Sequence, residues 1–258
     1  MAYHAFAHRL PAVVSKALFG DRERFGKVPD TNDPSWREWL ENDYDFYIAN
    51  QRTSVGMTVN QAGYRVVASS DIEDRDVLEI GPGAIEHVAH WPGKPRHWTN
   101  YDIRADLLKL AGERIDATGV AHTEVLAEPG ATRLPFADAS FDTVFTFYAL
   151  EHIHPLDDHL SEIERVLKPG GQLVGGIPCE GGLAWGAGRM LTSRRWLQKH
   201  TTIDPDRLIC WEHPNFADYI LQRLETKFDQ QKVRFWPLVV PAIDINLIAS
   251  FIFRKRGG

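Results

Sequence analysis

The sequence predicts an α/β fold, a mostly parallel sheet covered by helices on both faces, preceded by a helical extension. Three observations carry this. Short apolar runs at 76–80, 97–102 and 141–150 alternate with helical patterns at 104–118 and 155–168. Short connections between such segments make strand–helix–strand units, which build parallel sheets. The run 141–150 is almost wholly apolar, as a central strand covered on both faces requires.

The elements follow in order. Residues 1–70 differ from the rest and read as a helical lid. Asp33 is placed to cap a helix whose first residue is Pro34, because proline lacks the N–H that a first turn leaves unpaired. Trp39, Leu40, Tyr44, Phe46, Tyr47 and Ile48 recur on it at mixed helical spacing, and a second helix is expected over 59–69. Residues 71–258 read as the main domain, with an insertion at about 180–230. Strand 76–80 leads into a short helix at 85–90, ended by Trp91-Pro92-Gly93. Strand 97–102 precedes an amphipathic helix that carries Leu107, Leu108, Leu110, Ala111 and Ile115 and closes at Gly119. Val125 and Leu126 mark a third strand and 141–150 a fourth. Leu160, Ile163 and Leu167 share one face of the next helix, which Lys168-Pro169-Gly170-Gly171 stops. A fifth strand is expected at 172–177, a helix at 216–228 and strands at 232–236 and 245–254. The last two are joined too tightly for a crossover helix, so they pair antiparallel.

Composition narrows the function. The chain has 258 residues, 43% hydrophobic and 25% charged, with a formal net charge of −6. That balance argues against a protein built mainly to hold nucleic acid, because neutralising phosphates needs a basic face. The two cysteines, Cys179 and Cys210, lack the spacing of a zinc or dithiol site and read as reduced thiols in a cytoplasmic protein. No apolar stretch reaches the ~18 residues of a membrane span.

Val77-Leu78-Glu79-Ile80-Gly81-Pro82-Gly83 is a buried-looking strand that runs into two glycines, and Asp102 ends the next strand. Glycines let the backbone pass close to a ligand, and a carboxylate at that point can accept both ribose hydroxyls, so the pair marks a nucleoside site. Three further segments keep register with it: Leu134-Pro135-Phe136 through Ser140-Phe141-Asp142, Ala149-Leu150-Glu151-His152-Ile153, and Leu167-Lys168-Pro169-Gly170-Gly171. Together these residues, over about 76–178, resemble the class I S-adenosylmethionine-dependent methyltransferases of the small-molecule, type 11 branch.

The resemblance implies a Rossmann-like three-layer sandwich whose seven-stranded, mostly parallel sheet ends in an antiparallel strand. It also implies S-adenosyl-L-methionine as cofactor, with S-adenosyl-L-homocysteine as product. Glu79, Gly81, Pro82 and Gly83 would hold its methionine part, Asp102 the ribose and Ile103 the adenine face. Phe147 and Tyr148 would border the sulfonium. Two departures stand out. Ala84 replaces a usual third glycine, and Gly130 stands where the family often has an acid for the adenine amino group. Glu128, Thr132 or main chain near Ala131 would take over that contact.

Glu151 and His152 follow the fourth strand, where a histidine could take a hydroxyl's proton or merely pack. Tyr148 joins them as a catalytic candidate, and no metal is expected. Gly181, Gly182, Gly186 and Gly188 suggest a mobile loop, while Arg189, Arg194, Arg195 and Lys199 suggest an anionic or glycosylated substrate. Trp185 and Trp196 could stack on a ring, and Trp211, Glu212 and His213 are further pocket candidates at the start of the last helix. The expected function is O-methylation of a sugar, phenol or related hydroxyl. N-methylation of a small amine and a catalytically silent binding protein are the alternatives. The partner is a small molecule and not nucleic acid; no transmembrane segment is expected, a weak interfacial role for Phe6 to Phe19 is the minority reading, and a homodimer is left open.

Overall fold

A computed structural model describes residue 3, residues 5–51 and residues 54–257; the side chains of 43–56 fall outside that description. The expectation that Tyr44, Phe46, Tyr47 and Ile48 form an apolar face therefore lies outside the described residues. Seven strands form one sheet: β1 (Asp76–Ile80), β2 (His97–Asp102), β3 (Ala121–Leu126), β4 (Phe141–Phe147), β5 (Leu167–Pro178), β6 (Phe228–Trp236) and β7 (Ile248–Lys255). Their order is β3-β2-β1-β4-β5-β7-β6. The pairs from β3 through β5 are parallel, and β7 runs antiparallel to both β5 and β6, as expected for the final strand.

Ten α-helices are described: α1 (Ala12–Phe19), α2 (Arg22–Phe25), α3 (Pro34–Gln51), α4 (Ser54–Tyr64), α5 (Ala105–Asp116), α6 (Leu156–Val166), α7 (Leu183–Leu191), α8 (Ser193–His200), α9 (Pro205–Glu212) and α10 (Ala217–Lys227). Asp33 caps α3 as expected, its Oδ1 accepting the Ser35 N–H at 2.8 Å. The expected 59–69 helix begins earlier, as α4, and ends in a 3-10 turn at Arg65–Ser69.

Side chains alternate between two cores. Leu78, Val144, Leu173 and Phe251 pack with Leu160 and Ile163 of α6 and Ile220 and Leu224 of α10. Val77, Phe145, Val174 and Ile252 pack with Tyr64 of α4 and Ala111 and Ile115 of α5. Glu79 projects to this second side, where a carboxylate is costly unless it is partnered. The N-terminal helices join the 180–230 region: Trp39 of α3 packs with Leu197, Ile203 and Leu208.

Two stretches differ from expectation. The glycine-rich run after Glu180 is helical, forming α7 and α8. Gly186 is where α7 meets Phe19 of α1, because a Cβ there would lie 2.8 Å from that ring. Gly186 therefore allows close helix contact where a loop was expected. Residues 205–212 form α9, so Trp211 and Glu212 end one helix instead of opening the next. Asp204 caps α9, with Pro205 at its first turn.

Candidate functional site

Chain order reverses across the sheet between β1 and β4, and open parallel sheets bind ligands at the carboxyl ends of the strands beside such a switch. At that point β1 stops at Ile80 and the backbone becomes left-handed at Gly81 (φ +67°), Gly83 (φ +52°) and Ile85 (φ +45°). A Cβ on Gly81 would lie 2.9 Å from that of Ala149, so the turn presses against the loop after β4. Pro82 is buried, and its carbonyl accepts the Ile85 N–H at 3.0 Å. Ile85 is fully buried and β-branched, a residue type rarely found at positive φ. The expected 85–90 helix is accordingly a 3-10 turn, Glu86–His90. Ala84 is buried, so this turn presents main chain where the sequence lacks its third glycine.

Beneath the turn Glu79 is 1% exposed. The Trp91 indole N–H donates to Nδ1 of His87 at 3.1 Å, which leaves the imidazole proton on Nε2. That Nε2–H donates to Glu79 Oε1 at 2.8 Å. Glu79 Oε2 has no hydrogen-bond partner. Burial pushes the Glu79 carboxyl above its ordinary range, and His87 and Trp98 draw it partly back. The rings of Tyr64, Trp98, Phe145 and Phe147 surround His87 at 5.3 to 5.8 Å.

Asp102, at the end of β2, accepts the Arg104 N–H through Oδ1 at 2.9 Å, a turn that leads into α5 without capping it, so the cap role is not the one it plays. Burial pushes its carboxyl up to about 6 against that bond. Ile103 is an exposed apolar side chain beside it. The Ala131 N–H is already given to Glu128 O at 3.0 Å in a turn at Gly130, so that amide is not a free adenine donor. Glu128 is exposed, and its charge raises Tyr101, which burial has already moved up.

After β4, Phe147 is buried against Tyr64 and His87. Tyr148 takes a left-handed turn (φ +55°), and its hydroxyl donates to Asn60 O of α4 at 2.8 Å. Burial holds that phenol far above its ordinary range, so it positions rather than accepts protons. Glu151 is 2% exposed with Oε2 unpartnered, and burial raises its carboxyl. His152 donates Nδ1–H to Glu212 O at 2.6 Å. Burial works against its charge, but Glu212 and Glu151 prevail and hold it up at about 9. Glu212 in turn accepts the Trp39 indole N–H. The His152 and His213 rings meet edge-on at 4.7 Å, and His213 Nδ1 bonds Glu180 Oε2 at 2.9 Å.

The structure thus brings together Glu79, Gly81, Pro82 and Gly83 on one side, and Tyr148, Glu151 and His152 beside Glu180, Glu212 and His213 on the other. The basic cluster does not assemble: Arg189 is spent on Leu18 O and Arg194 on Asp206, while Trp196 stacks on His200. Sequence reasoning missed His87, Arg22 and Glu180. Only His87 had a signal, as a histidine closing the turn after Glu79. Among the described residues no group of three or more His, Cys, Asp or Glu side chains could hold a metal ion, and no helix is long and apolar enough to cross a membrane.

A family described as "Methyltransferase domain" matches residues 78–175. The chain is 38% identical over 82 residues to the ubiquinone/menaquinone biosynthesis C-methyltransferase UbiE of Brucella anthropi, covering 32% of this chain and 31% of that relative. It therefore spans about a third of the length of the curated relatives it matches. Among solved structures it is similar to the N-methyltransferase NodS of Bradyrhizobium japonicum WM9, crystallised with S-adenosyl-L-homocysteine. The TM-score is 0.57 at 16% identity, with 86% of this chain and 99% of that one covered. It is also similar to the [4+2]-cyclase SpnF, with a TM-score of 0.54 at 16% identity, covering 80% of this chain and 84% of that one. At these identities the likeness to solved structures is one of fold.

Proposed function

Because residues 78–175 form a methyltransferase domain of the class I, type 11 kind, whose cofactor is S-adenosyl-L-methionine, we propose that the protein transfers a methyl group from that cofactor to a small molecule. The observation that carries this reading is the unpartnered, buried Oε2 of Glu79 below a left-handed glycine turn. An ammonium group there would complete a charge-assisted hydrogen bond. The other residues fit the same ligand. The main chain of Gly81, Pro82 and Gly83 would lie along the methionine part, Asp102 would accept from the ribose, and exposed Ile103 would cover the adenine. Glu128 offers the acceptor that the adenine amino group needs, whereas the Ala131 N–H is itself a donor and is already given to Glu128 O.

When bound, the cofactor supplies an electrophilic methyl on a sulfonium, already a good leaving group. The protein's own tasks are then positioning, exclusion of water and proton removal. Residues 1–70 and about 180–230 would act as lid and cap, a reading supported by the Trp39–Glu212 bond and the Trp39 cluster. We assign the acceptor as a hydroxyl, whose proton passes to Glu151 Oε2 as its oxygen bonds the methyl. Glu151 has a free oxygen and a carboxyl moved toward neutrality. His152 is held charged, which suits it to steady Glu151 rather than to act as the base. N-methylation is the second reading, favoured by the surplus of unpaired carboxylate oxygen on Glu151 and Glu180. The two buried thiols fit a cytoplasmic protein.

Calorimetry with S-adenosyl-L-homocysteine tests the cofactor; absence of binding rejects the reading. With a panel of hydroxyl and amine acceptors, E151Q should lower turnover by about 100-fold or more. Its affinity for the homocysteine product should stay within about twofold. Turnover equal to wild type removes Glu151 as the base.

A further inference from the structure

We infer that Glu180 anchors a protonated amine carried by the substrate. The inference rests on the reading of this end of the sheet as the substrate end. Glu180 lies two residues beyond the end of β5 and has no exposed surface. Its Oε2 accepts from the Trp185 indole N–H and from His213 Nδ1 at 2.9 Å. Its Oε1 has no partner, and neither does Oε2 of Glu151. These two acids are bridged by the histidines: Glu151 Oε1 is 3.9 Å from His152 Nε2, whose ring meets that of His213.

The neighbouring cations do not close the gap. Arg22 gives Nη1 to Phe19 O and Nη2 to His213 O, and its guanidinium lies 4.0 Å from the centroid of the Phe216 ring. Arg189 gives its N–H groups to Leu18 O and Pro205 O and pairs with Asp206. Both lower the Glu180 carboxyl by charge, with His213, so burial does not neutralise it. Neither makes a hydrogen bond to it. The result is an ionised carboxylate with one oxygen bound twice and one left over, near a second acid, Glu151, whose Oε2 is also unpartnered but whose carboxyl burial moves toward neutrality.

A buried acceptor without a donor costs free energy, and a charged one costs more. Glu180 Oε1 is such an oxygen, and among the described residues the unpartnered buried donor on its neighbours is Arg22 Nε. An ammonium group brings three donors and a positive charge, and so meets the excess. A carboxylate or phosphate would meet like charge, which reverses the expectation of an anionic substrate. Glu180 is fully enclosed, so a ligand reaches it only if the side chains packed over it move.

The Trp185 indole N–H reports on this carboxylate directly, and W185F identifies its signal in a nitrogen–proton correlation spectrum. Protein saturated with S-adenosyl-L-homocysteine is titrated with benzylamine and, separately, with benzyl alcohol, a neutral partner of similar shape. Benzylamine should move the Trp185 signal and bind about tenfold or more tightly than the alcohol. E180Q should weaken benzylamine by a similar factor. The inference is overturned if benzylamine leaves the signal unmoved up to about 20 mM, well above a millimolar fragment affinity. It is equally overturned if the alcohol binds as well, which would make the recess a site for hydroxyls or water. The matched pair tests wild-type protein, so a misfolded E180Q leaves the experiment decisive. The amine titration can also be read without the homocysteine product, so failure of the cofactor reading is detected separately by calorimetry.

Discussion

Replacing Glu79 with glutamine should separate ligand binding from folding, because the two effects have opposite signs. In the ligand-free protein the Glu79 carboxylate is almost fully buried, holds one bond from His87 and leaves Oε2 unpaired. The amide oxygen of glutamine can keep the His87 bond. Its NH₂ then occupies the unpaired position, an unsatisfied donor that costs about 1–3 kcal/mol. Removing the buried charge recovers several kcal/mol of desolvation. The sum leaves E79Q as stable as wild type or about 1 kcal/mol more stable, a shift of roughly 2–4 °C in Tm at this chain length. Cofactor binding goes the other way. A hydrogen bond to a charged group contributes about 1.5–3 kcal/mol, so the Kd for S-adenosyl-L-homocysteine should rise about 10- to 150-fold. Calorimetry and thermal melts read both. A pH series adds a third signature. Burial raises the Glu79 carboxyl above its ordinary 4.5, so the folded state binds more protons than the unfolded one above that pH. Wild-type stability should therefore fall relative to E79Q as pH rises from 4.5. A Kd within twofold of wild type would refute the reasoning, and so would a variant that melts well below it.

Two further substitutions test the turn and the histidine. G81A must place a Cβ 2.9 Å from that of Ala149 at φ +67°; it should lose about 1–3 kcal/mol, read as a lower urea midpoint, and an unchanged midpoint would show the turn to be pliable. His152 is held up at about 9 from an ordinary 6.5, so its charged form stabilises the fold fully below 6.5 and loses that effect as pH climbs toward 9. The stability gap between wild type and H152Q should therefore shrink across that window, and a gap constant from pH 6 to 9 would contradict the Glu212 and Glu151 pairing.

The central sheet was legible because β1 and β4 are buried on both faces and announce themselves as apolar runs. The edge strands were located, but their starts were not. β3 carries His122, Thr123 and Glu124, and β6 carries Asp229, Gln230, Gln231 and Lys232 after Phe228, because edge strands face water and take polar residues. The cofactor side of the site was readable from Glu79, Gly81, Gly83 and Asp102, which lie within a few residues of strand ends. The other side is built from distant chain: Arg22 reaches His213 O, and Trp39 reaches Glu212. No local pattern encodes a contact across more than 170 residues. Helix and loop were confused at 181–200, where Gly186 serves packing against α1.

β7 follows β6 in the chain but lies between β5 and β6 in the sheet. On the ribosome every other strand is therefore synthesised before the one that joins them. Until residues 248–255 emerge, β5 offers an open row of amide and carbonyl groups, and β6 has no neighbour to pair with. The nascent chain must carry an unfinished sheet edge, the kind that pairs with other chains. A chain stopped ahead of Ile248 should accumulate as aggregate rather than as a smaller folded unit. The strand that completes the sheet is thus also the last one made.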